Sequence, residues 1–194
     1  MPAWFNPRKA AQVAAYFALA QGGTVNVLKL VKLLYLADRR FMEKYDSPIL
    51  NDRLVSMPHG PVNSITLSYL DGCLEDGKSL WDEFISDRAN HDIGLTNEAM
   101  SHDDLDEISQ AEMDVLAEIW GEFGSMTPYQ IRDYTHENCL EWEDPKGSSN
   151  PIPYARVFKF LGKKDGEALA GRVQSEWMLD EMLAIDQGER SAAE

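Results

Sequence analysis

The sequence has few of the residues that form metal centres and few of the motifs that carry catalysis. Its 194 residues contain two cysteines and four histidines, with no Cys-x-x-Cys or HExxH motif and no histidines four residues apart. Metal sites are recognised by such spacings, so we expect no metal and no cofactor. The GxSxG nucleophile turn and the GxGxxG dinucleotide loop are missing, and we expect no phosphate-binding P-loop. The sequence therefore predicts no catalytic residues.

The scarcity of cysteine also excludes a disulfide-stabilised fold. Cys73 and Cys139 lie far apart, and we predict that both are reduced thiols, as in a reducing cytoplasm. The N-terminal segment has no apolar stretch followed by a cleavage site, so we expect no signal peptide. The longest apolar run, residues 27–37, is interrupted by Lys29 and Lys32 and is too short to span a membrane. We predict a cytoplasmic protein with no membrane partner.

Basic residues are scarce in the middle of the chain. The net charge is −15, and whereas residues 1–70 sum to +4, residues 71–120 sum to −13. An acidic protein repels phosphate backbones, which makes nucleic acid a poor candidate partner. A basic protein is a better candidate. The alternative is that the acidic stretch serves solubility alone.

What the sequence does contain is one strongly apolar helix near its start. Leu30, Leu33, Leu34 and Ala37 recur at helical spacing, and further apolar residues fill the neighbouring stripe. A helix that is apolar around most of its circumference lies in the middle of a fold. We predict this central helix over residues 26–45 and expect the other elements to pack on it.

Capping signals and periodicity place the remaining elements. Asn6 and Pro7 have the residue types of a helix start, and Ser-x-x-Glu and Thr-x-x-Gln patterns have the form of capping boxes. Helices are predicted at residues 7–21, from Gly60-Pro61 onward, after the capping boxes at 109–112 and 127–130, and at 154–161 and 166–185.

Three short stretches have the composition of β-strands. They cover residues 49–57, 81–86 and 91–95, and we expect them to pair in one small antiparallel sheet. Residues 144–153, with three prolines, are predicted to be a loop. The fold class is therefore α+β and mainly α: a helical domain around a buried central helix, with a small antiparallel β-sheet.

Four segments, taken in order, resemble one known protein family. They are Lys32-Leu33-Leu34-Tyr35-Leu36-Ala37-Asp38, then His59-Gly60-Pro61-Val62, then Thr135-His136 with Trp142 six residues on, then Asn150-Pro151-Ile152-Pro153. Each is weak alone, but together, across residues 7–160, they are similar to the Panacea domain of the SocA-like bacterial antitoxins. The chain departs from the pattern at Glu141, where the family leads us to expect a proline.

The resemblance implies a single domain, which we place at residues 1–187, followed by a frayed tail at 188–194. It also implies an antitoxin of a bacterial toxin–antitoxin pair that binds its cognate toxin directly. In one branch of the family the antitoxin is an adaptor that delivers the toxin to a Clp-type AAA+ protease. Simple masking of the toxin is the alternative. The charge pattern leads us to expect a basic toxin.

The motif residues are the candidates for partner binding, although for His59 and His136 we favour hydrogen bonds across a turn, and for Asp38 a tie between the central helix and the His59 turn. We add Trp177 from the last helix, because aromatic and Met side chains are enriched in interfaces. A buried Asp38 needs a partner, and Arg39 or Lys32 is the expected one. The candidates from the motifs are Lys32, Tyr35, Asp38, His59, Gly60, Pro61, Thr135, His136 and Trp142.

Two other function classes stay open at this stage. A DNA-binding regulator is opposed by the acidic charge, and no predicted helix is basic enough to act as a recognition helix. A small hydrolase would use His59, His136 and Cys139. A lone His near a lone Cys is weak evidence, because catalytic partners are set by geometry and not by sequence distance.

Overall fold

The predicted central helix is the centre of the fold. The computed structural model describes residues 1–191, with side chains through residue 186. Helix α2, Val27–Tyr45, packs against elements from both ends of the chain, and Leu30 and Leu33 are fully buried. Asn26 caps the helix by accepting a hydrogen bond from Leu28 N at 3.1 Å. The prediction of a buried, all-round apolar helix is confirmed.

Three of the other helices begin at the predicted caps, and these three pack on α2. Asn6 caps the first helix, and both capping boxes are present, Ser109 with Glu112 and Thr127 with Gln130. In the described part of the chain the helices other than α2 are α1 (Pro7–Ala20), α3 (Ser64–Leu70), α4 (Lys78–Asp82), α5 (Gln110–Phe123), α6 (Pro128–Asn138), α7 (Tyr154–Phe160) and α8 (Gly166–Ser191).

Two small antiparallel sheets complete the described fold where one was predicted. Strand β1 (Thr24–Asn26) pairs with β4 (Asp92–Gly94). Strand β2 (Leu54–Met57) lies between β3 (Gly60–Asn63) and β5 (Asn150–Pro151). The predicted pairing of residues 91–95 with the strand near Leu54 is therefore wrong, whereas the α+β, mainly α class is confirmed.

The strand predicted at residues 81–86 is present only as an isolated bridge: Trp81 and Asp82 end α4, a turn follows, and Ile85 pairs antiparallel with Leu95 of the other predicted strand. Trp81, Phe84 and Ile85 are all buried. Their spacing of three and four residues is that of one helical face, and not the alternation of a strand. The helical spacing was mistaken for strand alternation, because a short run of apolar residues fits both patterns.

Gly60 and Pro61 were predicted to start a helix, but they lie in strand β3. Met57 pairs with Gly60 across the β2–β3 hairpin, and the turn between them consists of Pro58 and His59. The helix begins later, at Ser64. Proline fixes its φ at a value compatible with both a first helical turn and an extended segment, so the dipeptide alone did not decide between them.

The basic start of the chain pairs with its acidic middle. Arg8 Nη1 lies 2.5 Å from Asp106 Oδ1, and Lys9 Nζ lies 2.6 Å from Glu112 Oε1. Of the 15 acidic residues at 71–120, nine are in ion pairs with basic groups of the chain: Asp71, Asp76, Asp82, Glu83, Asp87, Asp106, Glu107, Glu112 and Glu118. The charge separation along the sequence is thus partly neutralised within the fold.

The C-terminal third contains one helix longer than predicted. Helix α8 continues past residue 185 to Ser191, so residues 188–191 of the predicted frayed tail are helical. Residues 192–194 of that tail lie outside the described residues. The predicted loop at 144–153 holds the short strand β5. No helix among the described residues is long and apolar enough to cross a bilayer.

Candidate functional site

Motif residues from distant parts of the chain meet at the β2–β3 hairpin. Lys32 of α2 is fully buried, and its Nζ donates a hydrogen bond to the carbonyl of Pro61 at 2.9 Å. Thr135 and His136 of α6 lie beside the same hairpin at Gly60. Burial lowers the pKa of Lys32 to about 7, since the charged form is poorly solvated there. The sequence motifs therefore form one cluster in three dimensions.

Gly60 is required by both conformation and space. Its φ of +96° lies in the region that favours glycine. A Cβ atom at this position would stand 2.9 Å from Thr135 Oγ1 and 3.0 Å from Lys32 Nζ. Glycine lets the hairpin approach α2 and α6 closely enough for the Lys32 hydrogen bond to form.

His136 and Trp142 join the hairpin through an aromatic stack. Their rings lie 4.4 Å apart at an angle of 15°, and Trp142 Nε1 donates to Met57 O at 2.9 Å. Burial lowers the pKa of His136, and the nearby charge of Lys32 lowers it further. A neutral imidazole stacked on an indole holds α6 against β2, which is a structural contact.

Asp38 binds the segment that follows α2. Its carboxylate accepts from Ile49 N at 2.7 Å, from Leu50 N at 2.9 Å and from Asn63 Nδ2 at 2.6 Å. The prediction that Arg39 or Lys32 is the partner of Asp38 is therefore wrong. Its hydrogen-bond partners are two backbone amides and one side-chain amide. Burial raises the pKa of Asp38 to about 7, and the hydrogen bonds act against that rise.

Glu141, the residue at the departure from the family pattern, is fully buried and paired. Its Oε1 accepts from Tyr35 OH at 2.8 Å and from Arg39 Nε at 2.7 Å. Burial raises the pKa of Tyr35 well above its ordinary value, and the Glu141 carboxylate adds to that rise. Arg39 is thus the partner of Glu141, and this ion pair ties α2 to the segment after α6.

Asp52 is a residue of this cluster that the sequence reasoning missed. Its carboxylate accepts from Ile65 N and Thr66 N, both at 2.8 Å, and from Thr66 Oγ1 at 2.6 Å. These donors are free amides of the first turn of α3. Burial raises the pKa of Asp52 to about 6. The helix cap comes from twelve residues upstream of Ser64, so no local capping pattern signals it.

A surface groove runs beside this buried cluster. It has a volume of about 500 Å³ and lies between the start of α2, the β2–β3 hairpin and the start of α6. Tyr129 is 65 % exposed at its rim, and the Arg132 guanidinium lies 5.1 Å from the Tyr129 ring centroid. We call it the hairpin groove; it is lined by Val27, Leu28, Val31, Lys32, Met57, Pro58, His59, Val62, Leu67, Asp71, Arg88, His91, Tyr129 and Arg132.

Most of the predicted site residues are not available to a partner. Lys32, Tyr35, Asp38, Gly60, Pro61 and Thr135 are buried, whereas His59 is exposed and lines the hairpin groove. His136, Trp142 and Trp177 are half-buried. Trp177 lies apart from the cluster, stacked on Trp4 with ring centroids 4.7 Å apart.

The chain contains one phosphate-loop spacing that the sequence reasoning overlooked. Gly72 to Ser79 reads GCLEDGKS, which matches GxxxxGK[ST]. A P-loop requires a preceding strand and a following helix, but here the segment follows α3 and opens the five-residue α4. Lys78 Nζ binds Asp82 at 2.6 Å, and a Cβ at Gly77 would stand 2.9 Å from Tyr69 Oη. The match is one of spacing alone.

The arrangement also argues against the hydrolase hypothesis. Cys139 is 1 % exposed, and burial raises the pKa of its thiol to about 12. The thiolate is the nucleophilic form, so a thiol with this pKa stays protonated at neutral pH. Among the residues the structure describes, no three His, Cys, Asp or Glu side chains cluster closely enough to hold a metal ion.

The fold and cluster define a mainly helical protein whose motif residues build a scaffold beside an open groove. The comparison with known families adds the class: residues 30–143 match the family described as antitoxin SocA-like, Panacea domain. The match covers more than half of the chain, which therefore belongs to the SocA-like Panacea antitoxin family. The comparisons found no curated protein and no solved structure that matches this chain.

Proposed function

We propose that this protein is an antitoxin that neutralises its cognate toxin by binding it directly in the hairpin groove. The observation that carries the proposal is the position of the groove: it opens beside the buried motif cluster, and it is lined by Lys32 of that cluster and by exposed His59 of the hairpin turn. Family membership supports a toxin as the partner.

The lining of the groove indicates what kind of segment it takes. Val27, Leu28 and Val31 from one face of α2 give it an apolar floor, and sites of this kind bind by burying apolar surface with a few polar groups for orientation. The rim charges are already paired, Arg88 with Asp71 and Arg132 with Asp133. The occupant we propose is therefore an apolar segment of the toxin.

Coexpression with the product of the adjacent reading frame tests this function. We expect that product to stop growth when it is expressed alone and to be tolerated, and copurified, when this protein is present. Tyr129→Ser should abolish rescue and copurification, because Tyr129 is an exposed aromatic of the kind that dominates interfaces. Leu140→Ser is the matched control, since Leu140 is 60 % exposed and does not line the groove. Equal rescue by both variants would place toxin binding elsewhere.

We further propose that the acidic stretch steers a basic toxin towards this surface. Opposite charges speed association, and salt weakens the effect beyond a Debye length of about 8 Å. Asp106 and Glu107 are unsuited to a charge-reversal test because they bind Arg8, and Asp104 caps a 3₁₀ turn. Asp103 is exposed and free of such contacts in the described structure.

The charge-reversal variant that fits the structure changes Glu75, Glu98 and Asp103 to lysine. All three are exposed, and none belongs to an ion pair within the described residues. We expect slower association, a weaker dependence of the association rate on salt, and an unchanged melting temperature. The association rate is measured by stopped flow or surface plasmon resonance. An unchanged rate would leave solubility as the role of the acidic stretch.

Masking and degradation are separated by reconstitution. We propose that the antitoxin is also an adaptor that hands the toxin to a Clp-type AAA+ protease, as in one branch of the family. Toxin, this protein and the protease with ATP are mixed, and the toxin is followed over time by gel. We expect toxin loss only when all three proteins are present. A toxin that stays inactive and intact in that mixture would contradict the adaptor role and leave masking.

A further inference from the structure

Helix α8 leaves the body of the protein after Trp177. Before that point, Ala170 and Val173 are buried, and Trp177 is held between Trp4, at a ring distance of 4.7 Å, and Tyr154, at 5.7 Å. Beyond it, residues 178–185 continue as a regular helix, which at 1.5 Å per residue extends about 12 Å. We call residues 178–185 the α8 arm.

The α8 arm exposes an apolar surface that the fold leaves uncovered. Met178 is 64 % exposed, Met182 57 % and Ile185 60 %, and at helical spacing these three share one side, with Leu179 and Leu183 beside them. Contiguous apolar patches of this kind on a folded protein mark interaction sites. A crevice of about 550 Å³ lies at the base of the arm, lined by Trp4, Gln174, Trp177, Met178, Glu181 and Met182.

The charge around this surface limits what can cover it. Residues 173–189 contain five acidic residues and no Lys, Arg or His, and this window is bordered by Arg172 and Arg190. The Arg53 guanidinium lies 5.4 Å from the Trp4 ring centroid, so the negative charge is concentrated on the arm itself. Glu176, Asp180 and Glu181 flank the apolar side chains, and Glu181 lines the crevice. Two copies of the chain that paired through their arms would bring like charges together, which costs free energy. An anionic membrane surface is disfavoured for the same reason.

We propose that the α8 arm, together with Trp4, docks a basic amphipathic helix of another protein. The apolar side of that helix would cover Met178, Met182 and the crevice. Its Lys or Arg side chains would lie along Asp180 and Glu181, with their aliphatic stems on the apolar surface. The arm lies outside the matched residues 30–143, and the inference does not depend on what occupies the hairpin groove.

The test uses a synthetic helical peptide of leucine and lysine as the probe, with a leucine–glutamate peptide of the same pattern as its counterpart. Binding to the full chain is measured by fluorescence anisotropy. We expect the lysine peptide to bind and the glutamate peptide to bind at least about tenfold more weakly, a difference of about 1.4 kcal/mol. Equal binding of the two peptides would overturn the proposal.

Matched variants locate the binding site. Met178→Ser with Met182→Ser should weaken binding about tenfold, as expected for the centre of an interface, and Asp180→Asn with Glu181→Gln should weaken it and reduce its salt dependence. Glu75→Gln with Glu98→Gln removes the same charge elsewhere and should leave binding unchanged. Apart from Glu181, which is half-buried, the altered side chains are exposed, so the melting temperature should change little.

Three other outcomes would also overturn the proposal. Binding that is unaffected by the methionine double variant would mean that the peptide binds by charge alone. Self-association of the unaltered chain in sedimentation experiments, lost in that variant, would mean that a second copy covers the arm. Binding of the chain to phosphatidylcholine vesicles, lost in the same variant, would mean that the arm faces a lipid surface. Tyr129→Ser should leave peptide binding intact, which separates this test from that of the hairpin groove.

Discussion

The ion pair between Arg39 and Glu141 offers the sharpest test of how the scaffold is held together. Glu141 is fully buried, and the Arg39 side chain is 22 % exposed. In Glu141→Gln the amide oxygen can still accept from Tyr35 OH, so the variant removes the charge and little else. Arg39→Met removes the other partner and leaves the carboxylate buried with one hydrogen bond.

The size of the effect follows from what each variant leaves unpaired. Breaking a buried pair from one side costs about 3–5 kcal/mol. Arg39 keeps some contact with water, so Glu141→Gln should lie at the lower end, at about 3 kcal/mol. Arg39→Met should cost at least as much. The double variant removes both charges and should recover much of the loss, which gives a coupling energy of about 2 kcal/mol or more.

Urea unfolding of the four proteins measures this coupling. Circular dichroism follows the helices, and tryptophan fluorescence follows the environments of all five tryptophans, of which Trp142 is next to Glu141 in the chain. The two probes should give coincident transitions if unfolding is two-state. The reasoning would be refuted if the double variant lost as much stability as the two single variants together, or if Glu141→Gln lost less than about 0.5 kcal/mol. Either result would show that Arg39 is solvated on its own.

Three further predictions concern the core, the hairpin and the thiols. Leu33→Ala or Leu34→Ala should lower the free energy of unfolding by about 2–5 kcal/mol in urea titration; unchanged midpoints would make α2 peripheral. Gly60→Val should lower the melting temperature, because a side chain there meets α2 and α6; a full melting temperature with loss of partner binding alone would contradict this. A thiol reagent should modify exposed Cys73 in the native protein and buried Cys139 only after unfolding; rapid native labelling of Cys139 would contradict it.

The elements that could be predicted correctly are those whose structure is decided by residues close together in the sequence. The apolar stripe through Leu30 and Leu33 is enough to identify α2 as the central helix. The caps at Asn6, Ser109 and Thr127 depend on side chains within three residues of the amides they bind. Such signals do not depend on the rest of the fold, and all of them are confirmed.

The errors arose where distant residues decide the local structure. Strand β2 is flanked by β3 and by β5, which comes from about a hundred residues later in the chain, and β5 has two residues and no strand-like pattern. Asp52 caps α3 from across a hairpin. Pairing and capping over such distances are set by packing and leave no periodic signal in the sequence.

The motif residues were identified from the sequence, but their contacts were not. That Lys32, Gly60 and His136 belong together followed from the family resemblance. That Arg39 pairs with Glu141, while Asp38 binds backbone amides, depends on which side of α2 faces each neighbour. The hairpin groove could not be predicted either, because its walls come from several elements that are far apart in the sequence.

The burial of the motif residues bears on how an antitoxin of this family would choose its toxin. Lys32, Asp38 and Thr135 are fully buried, so they cannot contact a partner, and the family match therefore reports on the scaffold. In the binding mode proposed above, recognition would depend on exposed residues beside it, such as His59 and Tyr129 in the hairpin groove. Changes at these exposed positions cost little stability. A chain of this design can therefore change its partner while it keeps the buried cluster that holds the hairpin in place.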